Sequence, residues 1–174
     1  MIVPKKPVYL IAGIVIPLLT LVFLEMLLTL FGSGSSLSLV RPCMVSGRNA
    51  YCDNSAFTST VFPPGMTRPA TPYAFTVPKE RGTYRIFVLG ESAAEGDPDP
   101  AYSFSRYLDV MLRHAFPQQH FEVINASITA INSHVLLRMA KELSAYQPDL
   151  VVVYAGNNEV IGPYGPGTTL SSEM

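Results

Sequence analysis

Arg85-Ile-Phe-Val-Leu-Gly-Glu-Ser-Ala-Ala-Glu-Gly96 is the stretch on which the fold turns. An apolar run rich in strand formers ends at Gly90, a serine stands two positions later, and Gly96 closes a loop that leads into a periodic helical segment. The pattern predicts a strand that delivers Ser92 to the carboxyl end of a sheet. A hydroxyl is exposed there, and main-chain N–H groups of the following turn can face a developing oxyanion, so Ser92 is a candidate nucleophile. Glycine and serine also occur in such loops merely to make the turn, so the neighbouring segments must decide.

Toward the carboxyl end the strand–helix alternation continues. Tyr84–Leu89 is the first strand, and Ser103–Phe116 places Phe104, Tyr107, Leu108, Met111, Leu112 and Ala115 on one helical face, with Ser103 as N-cap. Phe121–Asn125 reads as a second strand. Asn132 or Ser133 can cap a helix running to about Tyr146, with Val135, Leu136, Met139, Ala140 and Leu143 inward and Pro148 as the stop. Leu150–Tyr154 is a continuous β-branched run, expected in the interior of a parallel sheet covered on both faces. The expected fold is α/β: a three-stranded parallel sheet in flavodoxin-like order 2-1-3, the serine strand central, with flanking helices and ligands at the strands' carboxyl ends.

Toward the amino terminus the composition changes twice. Residues 1–7 carry Lys5 and Lys6, and residues 8–31 run almost unbroken through Leu, Ile, Val, Ala and Phe, long enough to span a bilayer. A cleaved signal peptide would have a shorter apolar core ending at a small-x-small site, which Leu30-Phe-Gly-Ser-Gly34 fits poorly. The lysines assign residues 1–7 to the cytoplasm and the remainder to the outside. Pro17 should kink the span unless a neighbour compensates, and a deep Glu25 would cost roughly 2.5–3.5 kcal/mol. Glu25 therefore belongs near the outer headgroups, in protonated form, or against a partner helix. Residues 32–80 are rich in Ser, Pro and Gly and lack a sustained period, predicting an extended tether that packs on something through Phe57, Phe62, Tyr73 and Phe75. Tyr73–Val77 alternates as a short edge strand would. Residues 81–174 form the α/β domain.

Composition narrows the function classes. The chain has 174 residues, 48% hydrophobic, and a net charge of −1 from 12 Lys+Arg and 13 Asp+Glu, which offers no basic field to a nucleic acid. Cys43 and Cys52 are the only cysteines and have no histidine nearby to complete a zinc site, so a disulfide is expected if they lie outside the cytoplasm. No P-loop, dinucleotide fingerprint or repeat occurs, and neither cofactor nor metal is expected. The expected partners are the lipid bilayer and other membrane protein subunits, met through the Pro17/Glu25 helix and the Pro-rich tether.

Each strand ends in a polar loop: Gly90-Glu-Ser92, Asn125-Ala-Ser-Ile-Thr-Ala130 and Ala155-Gly-Asn-Asn-Glu159. In order and spacing they resemble blocks one, two and three of the SGNH, or GDSL-like, hydrolase and esterase superfamily, in a branch of bacterial membrane-anchored chains. The resemblance covers roughly residues 81–167. It implies an inner-membrane anchor with a periplasmic domain, Ser92 as nucleophile, and an oxyanion hole built from the Ser92 N–H, the Ala130 N–H and the Asn158 carboxamide. Glu91 replaces the family's aspartate, leaving a structural carboxylate one methylene longer. Ala130 replaces a glycine and is expected to avoid a backbone angle that only glycine favours. The fourth block, an Asp and a His three residues apart that supply the general base, has no counterpart in the 174 residues. His114 and His120 fall at the opposite edge, and His134 reads as a helix-start residue. Without a base Ser92 is a feeble nucleophile, so little or no hydrolysis is expected. The rival expectations are an accessory subunit of a larger membrane assembly, with a partner or further chain covering the unfinished sheet, and ester or carbohydrate binding without turnover.

Overall fold

The computed structural model describes residues 6–30 and 36–168. It divides into two units, residues 1–36 and 37–174.

The first unit is a single helix, α1, Lys6–Leu30, within which Ile11–Leu30 is long and apolar enough to cross a membrane. Helix thus begins earlier than the expected residue 8, and Phe31 lies outside the described residues. Pro17 sits inside the helix without ending it. Thr20 Oγ1 donates to the Ile16 carbonyl at 2.8 Å, next to the place where the proline withholds an N–H.

The second unit opens with a sheet where a tether was expected. Strands β1 (Val40–Val45) and β2 (Arg48–Asp53) form an antiparallel hairpin, and β3 (Ala74–Thr76) pairs with β2. The hairpin turns at Ser46-Gly47, with φ of +50° and +77°, and a Cys43–Cys52 disulfide crosses it. Tight-turn chemistry and a covalent tie supply the order here that hydrophobic alternation does not. Phe57, Phe62 and Phe75 are buried, so this segment is part of the core.

Next comes a parallel sheet, β4 (Thr83–Gly90), β5 (His120–Asn125) and β6 (Leu150–Tyr154), in the order β5-β4-β6. A short helix α2 (Ser92–Glu95) and a longer one, α3 (Phe104–Ala115), lead from β4 to β5; α4 (Ser133–Leu143) leads from β5 to β6. One face of the sheet, with Phe87 and Leu89, joins α4 and the buried residues of the amino-terminal sheet in the main core. Ile86, Val88 and Phe121 on the other face form a smaller cluster with Phe104 and Leu112 of α3. Arg85 locks the layers together from a fully buried position. It donates to Glu122 Oε2 at 2.6 Å, the Tyr146 carbonyl at 2.8 Å and the Thr76 carbonyl at 2.7 Å, and stacks over Phe75. Tyr73 is held nearby with its phenol pushed well above its ordinary pKa, first by burial and then by Asp53, Glu142 and Tyr146.

Two sequence expectations fail in this half. Among the described residues β6 pairs with β4 alone, the edge place that the order 2-1-3 gives it, but it lacks the cover on both faces that its apolar run predicts: Val151, Val153 and Tyr154 are 37%, 59% and 53% exposed. The helical face expected to be inward on α3 leaves Tyr107 and Met111 exposed, since the three strands among the described residues do not cover them. Ser103 does hold the N-cap position of α3 but makes no capping bond; its hydroxyl pairs with Ser105 Oγ at 2.9 Å.

Candidate active site

Gly90 ends β4 because a side chain cannot fit there: a Cβ would lie 2.2 Å from the Tyr154 carbonyl oxygen and 2.4 Å from Ala94 Cβ. The close approach brings the next residue, Glu91, against the end of β6, its N–H donating to the Tyr154 carbonyl at 3.4 Å. Burying a carboxylate is costly unless donors surround it. Glu91 is 1% exposed, and it accepts from the Gly156 N–H at 3.0 Å, the Asn157 N–H at 3.1 Å and Asn158 Nδ2 at 3.2 Å. The third loop is wrapped around this carboxylate, which brings Asn158 against the residue that precedes Ser92. One Asn158 amide hydrogen is spent on Glu91, and a second remains.

Ser92 is half-buried at the start of α2. Its carbonyl accepts from the N–H groups of Gly96 and Asp97 at 2.9 and 3.0 Å, which closes the loop behind it. Among the described residues neither its hydroxyl nor its N–H makes a hydrogen bond.

The second loop is tied to the first at several points. Asn125 Nδ2 donates to the Ala94 carbonyl at 2.9 Å, the Ile128 N–H to the Gly90 carbonyl at 3.1 Å, and Thr129 Oγ1 to Glu95 Oε2 at 2.6 Å. Ala130 follows with φ +66°, the left-handed region it was expected to avoid. An L-residue there carries a strain of about 1–2 kcal/mol, which the surrounding ties must hold. The Ala130 N–H, like that of Ser92, makes no hydrogen bond among the described residues.

Glu159 fastens the third loop to α4. Its two carboxylate oxygens accept from the Ser133 N–H at 3.0 Å and Ser133 Oγ at 2.6 Å, so a distant carboxylate caps the helix. Asn132 occupies the N-cap position but turns its amide to the Pro163 carbonyl at 2.7 Å, and its buried Oδ1 has no partner. His134 is exposed on α4 with its ring 6.5 Å from that of Tyr164. His120 bonds Thr83 Oγ1 at 2.9 Å, and His114 lies in the last turn of α3.

Three hollows adjoin the loops. A crevice of about 30 Å³ lies between Glu91, Ala93, Tyr154 and Asn157; one of about 310 Å³ is walled by Phe62, Met66, Arg68 and Ala130; one of about 220 Å³ lies between Arg68, Glu95, Asp97 and Thr129. A larger cavity, about 680 Å³, runs along β5 and α3 and includes none of Ser92, Ala130 or Asn158. No group of three or more His, Cys, Asp or Glu able to hold a metal occurs among the described residues.

Sequence reasoning did not find Glu95, Glu159 or Arg68. A carboxylate lodged between two alanines and a glycine, as Glu95 is, hints at burial with a partner, but the partners, Thr71 and Thr129, come from distant segments. Comparison with protein-family models, characterised proteins and solved structures returns no match.

Proposed function

We propose that the chain is a membrane-anchored, extracytoplasmic SGNH-hydrolase-like domain, with α1 as anchor and the flavodoxin-like strand order carrying the serine at its centre. Ser92 takes the nucleophile position, and the Ser92 N–H, the Ala130 N–H and the second Asn158 N–H are the oxyanion donors. The observation that carries this is the Glu91 carboxylate, which binds three donors of the third loop beside the serine. Unengaged N–H groups on Ser92 and Ala130 suit the same role, since donors already bonded elsewhere could not meet an oxyanion. The Cys43–Cys52 disulfide favours an oxidising compartment, and together with Lys5 and Lys6 it supports the reading of the domain as periplasmic, anchored in a bacterial inner membrane.

With no Asp-x-x-His pair in these 174 residues, this polypeptide hydrolyses esters little if at all. Hydrolysis of p-nitrophenyl acetate by the detergent-solubilised chain should match that of Ser92→Ala. A Ser92-dependent rate well above background would overturn the inactivity, and a fluorophosphonate that labels Ser92 in preference to other serines would support the nucleophile position.

A second reading, an accessory subunit of a larger membrane assembly, is favoured by the bare apolar surface of α3 and β6, where Tyr107, Val110, Met111 and Val153 are each more than half exposed. It predicts copurification of stoichiometric partners in mild detergent, whereas a monodisperse lone monomer would count against it.

A further inference from the structure

Resting on the placement of Ala130 in an oxyanion-binding position, we infer that the hollow it walls is a binding subsite for a small anionic ester, with Arg68 receiving the anion. The hollow is about 310 Å³, the size of a small ligand, and among the described residues Arg68 is the only charged one lining it. Arg68 is exposed and, like Arg81 and Arg106, makes no side-chain ion pair or hydrogen bond among the described residues.

The segment bearing Arg68 is fastened on both sides. Before it, Phe62 is 4% exposed and its N–H donates to the Thr58 carbonyl at 2.9 Å. After it, Thr71 Oγ1 donates to Glu95 Oε1 at 3.2 Å, and the same carboxylate takes Thr129 Oγ1 at 2.6 Å. Glu95 therefore clamps the wall of the hollow to the loop that carries Ala130. Strain is retained at Ala130, on the hollow's surface, and such outliers gather at ligand sites.

Each wall selects a part of the ligand. Phe62 and Met66 offer apolar surface to a short acyl chain, Ala130, whose N–H is unbonded among the described residues, lines the same hollow and is the donor assigned here to an ester carbonyl, and a guanidinium forks onto carboxylate or phosphate. A half-ester of a short dicarboxylic acid satisfies all three. The claim is of binding alone and invokes no turnover.

The test is a titration of the full chain in detergent with monomethyl succinate and, as a neutral match of similar size, dimethyl succinate, followed by saturation-transfer NMR. The half-ester should saturate, and Arg68→Ala should weaken it about tenfold or more, the worth of a charge-assisted bond. Arg68→Lys should fall between, and the diester should bind weakly and be insensitive to either change. Arg68 is exposed, so both variants should keep the wild-type circular dichroism. A half-ester that does not saturate, or that binds a folded Arg68→Ala as well as wild type, overturns the subsite. Labelling of Ser92 by the fluorophosphonate without Arg68-dependent binding would leave the serine placement standing and overturn the subsite, whereas Arg68-dependent binding without labelling would leave the subsite standing on its own, since a serine without a base reacts slowly.

Discussion

Helices α3 and α4 carry apolar stripes of similar clarity, yet one is sunk in the core and the other is bare. On α4, Met139 and Leu143 are 0% exposed, whereas on α3 Tyr107, Val110 and Met111 are 57%, 61% and 67% exposed. The difference lies in what faces them. α4 meets a layer completed by Leu39, Phe57, Phe62 and Phe75 of the amino-terminal segment, and α3 meets a sheet whose edge strand, β6, is itself uncovered. An amphipathic period therefore declares that a face is fit for burial, and the rest of the fold decides whether it is buried and by what.

The sharpest way to break this comparison is a matched pair of truncations. Met139→Ala or Leu143→Ala should cost about 2–5 kcal/mol, as expected for emptying a filled core site. Met111→Ala should stay within about 0.5 kcal/mol. Denaturant midpoints of the full chain in detergent report both. A Met111→Ala penalty approaching that of Met139→Ala would mean that α3 is covered in solution, by a second copy or by a partner.

If β6 lacks packing, polar anchors at its ends must hold it, and Glu91 is the anchor at the carboxyl end. Glu91→Gln removes the charge from three donated bonds and brings an amide N–H group toward main-chain N–H groups, an expected loss of about 2–3 kcal/mol. Hydrogen exchange at Gly156 and Asn157 should accelerate first. Unchanged protection there would show that the third loop is held by something other than the carboxylate.

Much of the parallel sheet and its helices was legible in sequence, and less of the amino-terminal segment that covers α4. The parallel strands and both long helices follow from period alone, since each has an apolar run or stripe bounded by a cap or breaker. The amino-terminal sheet does not: β1 buries fully only Val40 and β2 only Ala50, so neither shows the alternation that marks a strand. Its order comes from a two-residue turn, a disulfide and aromatic contacts with distant elements, as when Phe75 meets Phe87 at 5.2 Å. At the site, the serine and the three loops were visible as motifs. The backbone angle of Ala130 and the unpaired state of Arg68 are tertiary facts with no local signal.

Ala130 gives a smaller effect with the opposite sign. Replacing it by glycine relieves the left-handed strain and costs some unfolded-state entropy, for an expected net gain of about 1 kcal/mol. Thermal melts of Ala130→Gly against wild type measure it. A loss of stability would mean that the methyl group's contacts outweigh the strain, and that the covered layer fixes this loop more firmly than the backbone angle suggests.

The smallest effect lies at the other end of β6, where Asp149 precedes the strand. Its Oδ2 accepts from Lys79 Nζ at 2.7 Å and from the Arg85 N–H at 2.6 Å, and its own N–H donates to the Arg85 carbonyl at 2.9 Å. The Lys79 hydrogen bond, then the Arg85 N–H, hold the carboxyl below its ordinary value of 3.8 despite some opposition from burial. A depressed folded-state pKa means that the contribution is fully present above the unfolded value and fades as pH falls from there through the lower folded value. Wild type should therefore lose stability relative to Asp149→Asn on acidification below about pH 4, and the gap between them should be constant from pH 5 to 7. Because the pair is partly open to solvent, the gap should also shrink as salt is raised. A gap that is independent of both pH and salt would mean that Asp149 acts through its neutral contacts, and that β6 is fixed at this end by its main-chain ladder to β4 alone.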